Sequence, residues 1–314
     1  MKKKALIIGI KGKILNKIEK QILSKENPWG VILFERNFDS FSQAKKLTES
    51  IRKNSRDKNL PILIDEEGGR VSRLNKLICN QITQKYFGDF YNTNHKLAKK
   101  LMINYLKSVI KIIKKLGINI NTVPVLDILY KNSSNVIGNR SFSNNKVIVS
   151  ELGNIYLDVY KKLKIGTVIK HIPGHGLAKN DSHKKLPVIK EKISYLLKND
   201  FACFKGKDSF FAMTGHLLFY NLDDKYCVTH SKKIIKEIIR NKIGFKGILI
   251  SDDISMRALK FDLFNNAIKS LNAGCNIVLY CEPKPKKSLS LIKKIPYIDN
   301  FTQKKTSQFY KFLR

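Results

Sequence analysis

The chain has 314 residues, of which 43% are hydrophobic, so it can bury a sizeable core and does not have the composition of a disordered protein. No apolar run reaches the roughly 20 residues that cross a bilayer, and we therefore expect a globular protein without a membrane partner. Its formal net charge of +35 excludes an acidic protein and raises the question of polyanion binding.

The excess of lysine leaves two interpretations open. The lysines are spread along the whole chain and occur with many isoleucines and asparagines, as AT-rich codon usage would produce at tolerant surface positions. A strongly basic domain can also bind nucleic acid or speed the arrival of an anionic substrate, an effect that salt weakens. We favour solvated surface lysines and regard nucleic acid as the less favoured partner.

The first predicted element is a buried strand at the N-terminus. Met1–Lys4 and the apolar run Ala5–Ile10 look superficially like a secretory signal, but the run is short and continues directly into Lys11-Gly12-Lys13. The five cysteines are odd in number and lack CxxC spacing, as expected of reduced thiols. We therefore expect a cytoplasmic protein.

Short apolar runs that end in polar or charged residues recur along the chain. Such runs are typical of parallel strands that are buried on both faces. The eight predicted strands are Ala5–Ile10, Gly30–Phe34, Pro61–Ile64, Ile118–Leu126, Gly166–Ile169, Phe210–Met213, Gly247–Ile250 and Asn276–Tyr280.

Lysine-rich segments with helical periodicity, such as Leu97–Leu116 and Ser231–Asn241, separate these strands. Eight alternating strands and helices predict a (β/α)8 barrel of the TIM type, formed by residues 1–314 as a single domain. An open doubly wound sheet is the alternative, although no G-x-G-x-x-G follows the first strand and no Walker loop occurs. The gap between Ile64 and Ile118 predicts one loop and one long helix. The lysine-rich segment from about residue 283 has no confident assignment.

Charged and imidazole side chains cluster just after the predicted strands. They occur in Asp65–Arg70, Pro124–Asp127, Lys170–Gly176, Thr214–His216 and Ser251–Asp253. The carboxyl ends of all barrel strands lie on one face, so these segments predict one catalytic site.

Three chemistries could use this set. His171, His175, Asp181 and His183 could bind zinc, although Pro173 and Gly174 prevent a helical ligand spacing. The glycine-rich segments Gly174–Gly176 and Gly68–Arg70 could hold phosphate. Glycoside hydrolysis needs a carboxylate nucleophile and a proton-transfer group on the opposite side of the anomeric carbon.

The order of the motifs resembles that of bacterial β-N-acetylhexosaminidases of glycoside hydrolase family three, cytoplasmic enzymes that act on recycled cell-wall muropeptides. The strongest match is Lys170-His171-x-Pro173-Gly174-His175-Gly176, followed by Asp181-Ser182-His183 and by Ser251-Asp252 downstream. Further matches are Gly30–Phe34 with Arg36-Asn37, Asp65–Arg73, Pro124–Asp127, Ile137–Phe142, Met213–His216, Gly244–Gly247, Ser251–Met256 and Asn272–Cys275.

The resemblance implies that Asp252 is the nucleophile, with Asp253 as the competitor for that role. Adjacent strand residues point to opposite faces, so we expect only one of the two to face the sugar. His183 would be the acid/base and Asp181 its orienting partner, on a loop (Leu177–Lys185) that we expect to be mobile.

The resemblance also implies a sugar-binding set, with no metal and no organic cofactor. The set is Asp65, Arg73, Arg140, Lys170 and His171. We expect Arg70, Glu66 and Glu67 to support this set, and His175 and His216 to brace loops. Asn139, Gly215 and Asn276 depart from residues that are frequent in the family, but none of them removes a proposed catalytic group.

The sequence thus predicts a monomeric retaining hydrolase that removes terminal, non-reducing β-linked N-acetylglucosamine from muropeptide-type cell-wall fragments. Two alternatives stay open. One is a basic barrel scaffold that binds nucleic acid or another polyanion, and the other is a phosphorolytic variant of the same glycosidase.

Overall fold

The computed structural model describes residues 2–182 and 184–314 and has a closed barrel at its centre. Eight parallel strands form the barrel, and helices surround it. The prediction of a (β/α)8 barrel is confirmed. The doubly wound alternative is wrong, because the first and last strands pair with each other and close the sheet.

The described residues form ten strands. They are β1 (Lys4–Gly9), β2 (Pro28–Leu33), β3 (Ile62–Ile64), β4 (Ile120–Asn121), β5 (Gly166–Ile172), β6 (Val188–Ile189), β7 (Phe211–Thr214), β8 (Leu218–Phe219), β9 (Ile248–Asp253) and β10 (Ile277–Tyr280). Around the barrel the order is β1-β2-β3-β4-β5-β7-β9-β10, and β6 pairs with β8 in a small separate sheet. Each of the eight predicted runs overlaps a barrel strand, although β4 is much shorter than the run Ile118–Leu126.

The same residues form nine α-helices. They are α1 (Lys17–Gln21), α2 (Phe41–Asn54), α3 (Gln84–Thr93), α4 (His95–Lys115), α5 (Lys146–Lys162), α6 (Ile193–Lys198), α7 (Leu263–Ala273), α8 (Pro285–Lys294) and α9 (Asn300–Leu313). The helix predicted over Ser231–Asn241 is a π-helix over Ile234–Lys242.

The prediction of one long helix between Ile64 and Ile118 is wrong, because α3 and α4 both lie there. Asn94 separates them: its extended backbone ends α3, and its side chain accepts a hydrogen bond from the N–H of Leu97 to cap α4. The C-terminal segment that the sequence left unassigned forms α8 and α9.

Helix α9 closes the amino-terminal end of the barrel. Phe309 is fully buried among the apolar side chains that fill the barrel interior, and its ring meets that of Phe211 edge-on at 4.9 Å. The indole N–H of Trp29 donates to the hydroxyl of Thr306 at 2.9 Å. The amino-terminal end is therefore filled with apolar side chains, whereas the polar loops gather at the opposite end.

The second part of the core lies between the barrel and its helices. Helix α4 is typical, because Ala98, Met102, Leu106 and Ile113 recur at helical spacing and are buried against the sheet. No helix in the described ranges is long and apolar enough to span a membrane.

Candidate active site

A pocket of about 550 Å³ opens at the carboxyl ends of the barrel strands. Its walls come from residues at the tips of several strands or just beyond them, including Phe34, Asp65, Lys170, Asp252 and Cys281. This size and concave shape suit a small ligand. Seven of the eight predicted site residues line it: Asp65, Arg73, Arg140, Lys170, His171, Asp181 and Asp252. The eighth, His183, lies outside the described residues.

The floor of the pocket is an ionic cluster around Asp65, the first residue after β3. The ammonium of Lys170 lies 3.3 Å from one carboxylate oxygen of Asp65, and the guanidinium of Arg73 lies 3.4 Å from the other. The hydroxyl of Thr122 also donates to Asp65. Burial alone would raise the pKa of Asp65, but the charges of Lys170 and Arg73 outweigh it and lower that pKa. Asp65 is therefore a fixed carboxylate that can accept hydrogen bonds from hydroxyl groups.

Glu67 completes the cluster. Its carboxylate binds Arg140 through two hydrogen bonds and lies 2.6 Å from the ammonium of Lys170. Burial opposes ionisation of Glu67, but Arg140 and Lys170 prevail and lower its pKa to about 2. The sequence predicted a supporting role for Glu67, and these contacts describe one.

These contacts also use most of the donors of Lys170 and Arg140. The ammonium of Lys170 contacts Glu67, Asp65 and Thr122, the last at 2.9 Å. Arg140 additionally donates to the carbonyl of Val136 at 3.1 Å. A sugar hydroxyl that binds either cation must therefore share or replace an existing contact.

His171 faces the pocket in an orientation that Asp127 fixes. Its Nδ1 lies 2.7 Å from a carboxylate oxygen of Asp127, a fully buried residue. Its Nε2 is turned toward Arg140, whose Nη2 lies 3.5 Å away. One ring nitrogen is thereby held by a buried carboxylate, and the other is presented to the cavity.

His175 connects this site to the loop after β5. Its backbone N–H donates to Asp127 at 2.7 Å, and its Nε2 lies 3.2 Å from the hydroxyl of Ser182. Burial and the nearby His171 lower the pKa of His175 to about 4, so the ring is neutral at pH 7. His175 thus braces the loop through a side-chain contact as well as a backbone one.

The loop after β5 borders the pocket on both sides of position 183. Asp181, Ser182 and Lys184 all line it. The N–H groups of Lys184 and Lys185 donate to the carbonyl of Asp181 at 2.9 and 3.0 Å. This places the Asp181 segment and the tip of β9 on the same cavity.

The tip of β9 carries Asp252 and Asp253, and both line the pocket. The expectation that only one of these two carboxylates faces the pocket is therefore wrong. The carboxylate of Asp253 is nevertheless engaged elsewhere, because it accepts hydrogen bonds from the N–H and hydroxyl of Ser255 and from the N–H of Cys281. The Nε2 of His216 lies 3.0 Å from the carbonyl oxygen of Asp253, so this histidine braces the strand end.

Several residues that the sequence did not single out for the site contribute to it. Thr122 joins Lys170 to Asp65, and Phe34 forms an aromatic wall beneath the guanidinium groups of Arg36 and Arg73. Phe34 stands at the end of a predicted strand, and this position could have indicated a site residue. Thr122 lies inside a predicted strand, so its position gave no such indication. Among the described residues no group of three or more His, Cys, Asp or Glu side chains is placed to hold a metal ion.

A closed barrel with carboxylates, imidazoles and cations at the carboxyl ends of its strands is the arrangement of a (β/α)8 enzyme. The model of the glycosyl hydrolase family 3 N-terminal domain matches residues 3–305. The chain therefore belongs to glycosyl hydrolase family 3.

Within this family the chain is a glycosidase of the β-hexosaminidase type, as its similarity to named proteins shows. The chain is 32% identical to a β-hexosaminidase of Methylobacillus flagellatus over 85% of this chain and 77% of that protein. It is 34% identical to a β-hexosaminidase of Neisseria meningitidis over 85% of this chain and 75% of that one. The native structure of NagZ from Neisseria gonorrhoeae is 29% identical and matches with a TM-score of 0.89, over 100% of this chain and 90% of that one.

A longer relative supports the fold alone. A family 3 β-N-acetylglucosaminidase from Paenibacillus sp. is 24% identical and matches with a TM-score of 0.86. The match covers 98% of this chain, which spans only 60% of the Paenibacillus chain.

Proposed function

We propose that the protein removes terminal, non-reducing β-linked N-acetylglucosamine from muropeptide-type cell-wall fragments and retains the anomeric configuration. The observation that carries this proposal is that Asp252, at the tip of β9, and Asp181, on the loop after β5, line one cavity with the cluster around Asp65. A carboxylate and a proton-transfer loop that border one pocket are the parts that a retaining glycosidase needs.

In the proposed mechanism Asp252 attacks the anomeric carbon and forms a glycosyl ester. His183 gives a proton to the glycosidic oxygen as its bond to the anomeric carbon breaks. Water then attacks the same carbon, passes its proton to His183 and releases Asp252. Asp181 orients the imidazole and favours its protonated form.

The sugar would be held by the ionic floor of the pocket. Asp65 would accept hydrogen bonds from the sugar hydroxyls, because its lowered pKa keeps it ionised and two cations fix its position. Hydrogen bonds to the other hydroxyl groups or to the acetamido carbonyl would come from Arg73, Arg140, Lys170 and His171. The NagZ of Neisseria gonorrhoeae, 28% identical with a TM-score of 0.88, has been solved in complex with N-trifluoroacetyl-D-glucosamine, which supports a sugar of this kind.

We further propose that residues 1–314 act as one catalytic unit and as a monomer in the cytoplasm. The packing of α9 into the barrel supports one unit. The five cysteines are free thiols, as expected in a reducing compartment.

Release of nitrophenol tests the reaction. The β-N-acetylglucosaminide should be cleaved and the β-glucoside should not, because the acetamido group is part of recognition. Asp252→Asn should lower kcat by at least about a thousandfold, whereas Asp224→Asn, an exposed control, should not. Added phosphate should leave free N-acetylglucosamine as the product. Equal cleavage of both glycosides, near-normal turnover by Asp252→Asn, or a sugar phosphate would each contradict the proposal.

A further inference from the structure

A second cleft, of about 740 Å³, lies beside the proposed active site. It runs between the segment that follows β1 and the segment that follows β10. Strands β1 and β10 are neighbours and pair where the barrel closes. Five of its nine lining residues are lysines: Lys11, Lys17, Lys284, Lys286 and Lys287. We call it the lysine cleft.

The charge of the lysine cleft is only weakly balanced. Of the nine described residues that line it, none is acidic. Glu282, just outside, lies 3.1 Å from the ammonium of Lys284. Glu19 is buried, and its carboxylate accepts hydrogen bonds from the backbone N–H groups of Lys11 and Asn16. The five exposed lysines therefore place positive charge around the rim of a cleft whose inner surface is mostly apolar.

The lysine cleft and the pocket share a wall. Cys281 lines the pocket and Pro283 lines the cleft, and two residues of extended chain span at most about 7 Å. Arg36 holds this wall together, because its Nε donates to the carbonyl of Ile10 at 3.0 Å and its Nη2 donates to that of Cys281 at 2.8 Å. A group that leaves the pocket over the tips of β1 and β10 would arrive in the cleft.

We propose that the lysine cleft binds the carboxylates of a peptide carried by the second sugar of the substrate. This inference rests on the proposed function, in which the sugar next to the cleaved bond bears a peptide. Single exposed lysines contribute little, but several around one cleft add up and also steer an anionic substrate toward the pocket. Ile18, Pro283 and the lysine stems offer apolar surface to the uncharged parts of the peptide.

The lining favours a peptide over a nucleic acid. Its nine residues include no aromatic side chain and no arginine. Surfaces that bind single-stranded nucleic acid typically stack bases on aromatic rings, and arginine grips phosphate through two parallel hydrogen bonds. Lysine and asparagine side chains can donate hydrogen bonds to separate carboxylates, and the prolines add apolar surface.

The test is a triple variant, Lys284→Gln with Lys286→Gln and Lys287→Gln. Its matched control is Lys232→Gln with Lys233→Gln and Lys236→Gln, exposed lysines near or on the outer π-helix. Both variants remove three positive charges. Thermal unfolding confirms that each is folded.

Three substrates separate the contributions. The first is nitrophenyl β-N-acetylglucosaminide. The second is a β-1,4-linked disaccharide whose second sugar bears a peptide with free carboxylates, and the third is the same compound with those carboxylates amidated. The cleft variant should lower kcat/KM about fivefold to tenfold for the free-carboxylate compound, mainly through KM and less at high salt. The other two substrates and the control variant should change less than about twofold.

Binding of the peptide-bearing second sugar alone, which has no bond to cleave, gives an independent result. Calorimetry should show a Kd that rises about fivefold to tenfold in the cleft variant. If the wild-type protein cleaves none of the glycosides, the proposed function is wrong. This titration still tests whether the lysine cleft binds the peptide.

Equal losses for the free and amidated compounds, or an equal loss in the control variant, would overturn the inference. So would an oligonucleotide that binds the wild type, loses its affinity in the cleft variant and leaves the peptide kinetics of that variant unchanged.

Discussion

The carboxylate of Glu67 and the guanidinium of Arg140 meet through two parallel hydrogen bonds, Nε to Oε2 at 2.7 Å and Nη2 to Oε1 at 2.9 Å. Both side chains are nearly buried, at 2% and 12% exposure, and the same carboxylate contacts the ammonium of Lys170. One buried anion therefore contacts two cations and connects the loops after β3 and β4 to strand β5.

Glu67→Gln should destabilise the protein and impair the site together. The change leaves Arg140 and Lys170 without their shared anion, so the free energy of unfolding should fall by about 3 kcal/mol. Misplacement of Lys170 and Arg140 should lower kcat/KM by about a hundredfold. Urea unfolding and steady-state kinetics measure the two effects. Glu49→Gln, whose partner Lys45 is equally exposed, should change neither measurably. A stable and active Glu67→Gln enzyme would contradict this interpretation.

Asp200 should make stability depend on pH. It is buried, accepts a hydrogen bond from the hydroxyl of Tyr130 at 2.8 Å, and its Oδ1 has no partner among the described residues. Burial raises the pKa of Asp200 to about 7 from an ordinary 3.8. Between these values the folded protein holds a proton that the unfolded chain has released, so the stability from this group is complete below about pH 4 and falls as pH rises through 7.

Asp200→Asn keeps the neutral form at every pH. Relative to the wild type, this variant should therefore gain stability as pH rises from 4 to 8, as measured by urea unfolding at several pH values. Asp208→Asn, with a 76% exposed side chain, is the control and should show no such trend. A difference between Asp200→Asn and wild type that stays constant with pH would contradict the prediction.

Ser182→Ala should weaken the loop after β5. The hydroxyl of Ser182 lies 3.2 Å from Nε2 of the buried His175, and this contact holds the segment next to Asp181. Loss of this buried hydrogen bond should lower kcat about fivefold and the free energy of unfolding by about 1 kcal/mol. Kinetics and thermal unfolding test this, with the exposed Ser290→Ala as control. Unchanged kcat would show that the contact does not position the loop.

Phe309→Ala should destabilise the barrel by about 3 to 5 kcal/mol, because it opens a cavity at the closed amino-terminal end. Phe301→Ala on the same helix removes a ring that is 41% exposed and should have a much smaller effect. Similar losses for the two variants would mean that Phe309 is not part of the barrel core.

The fold could be predicted because parallel barrel strands are apolar on both faces and so appear as short apolar runs. The failures have physical causes. The sequence predicts a strand over the whole run Ile118–Leu126, whereas β4 has only two residues. Apolar residues continue beyond β4, although the chain there already forms the wall of the site. α3 falls in the segment that the sequence predicts as a loop, because its ten residues include the weak helix formers Gly88, Asp89 and Asn92. α9 gave a weak signal, although its Phe309 lies in the barrel core.

The site could be located because polar side chains follow the strands, but the pairing among them could not be predicted. Nothing in the sequence shows that Glu67 rather than Glu66 binds Arg140, or that Glu66 accepts bonds from Ser72 and Asn80 instead. Those partners depend on the course of the loop after β3. The position of Asp253 on the same pocket as Asp252 likewise depends on how β9 ends.

The most direct test of the account is mass spectrometry after reaction with a fluorinated N-acetylglucosaminyl donor, which slows release of the glycosyl ester. The account predicts one adduct, which fragmentation of the labelled peptide places on Asp252, and none in the Asp252→Asn variant. An adduct on Asp253 or any other residue would contradict it.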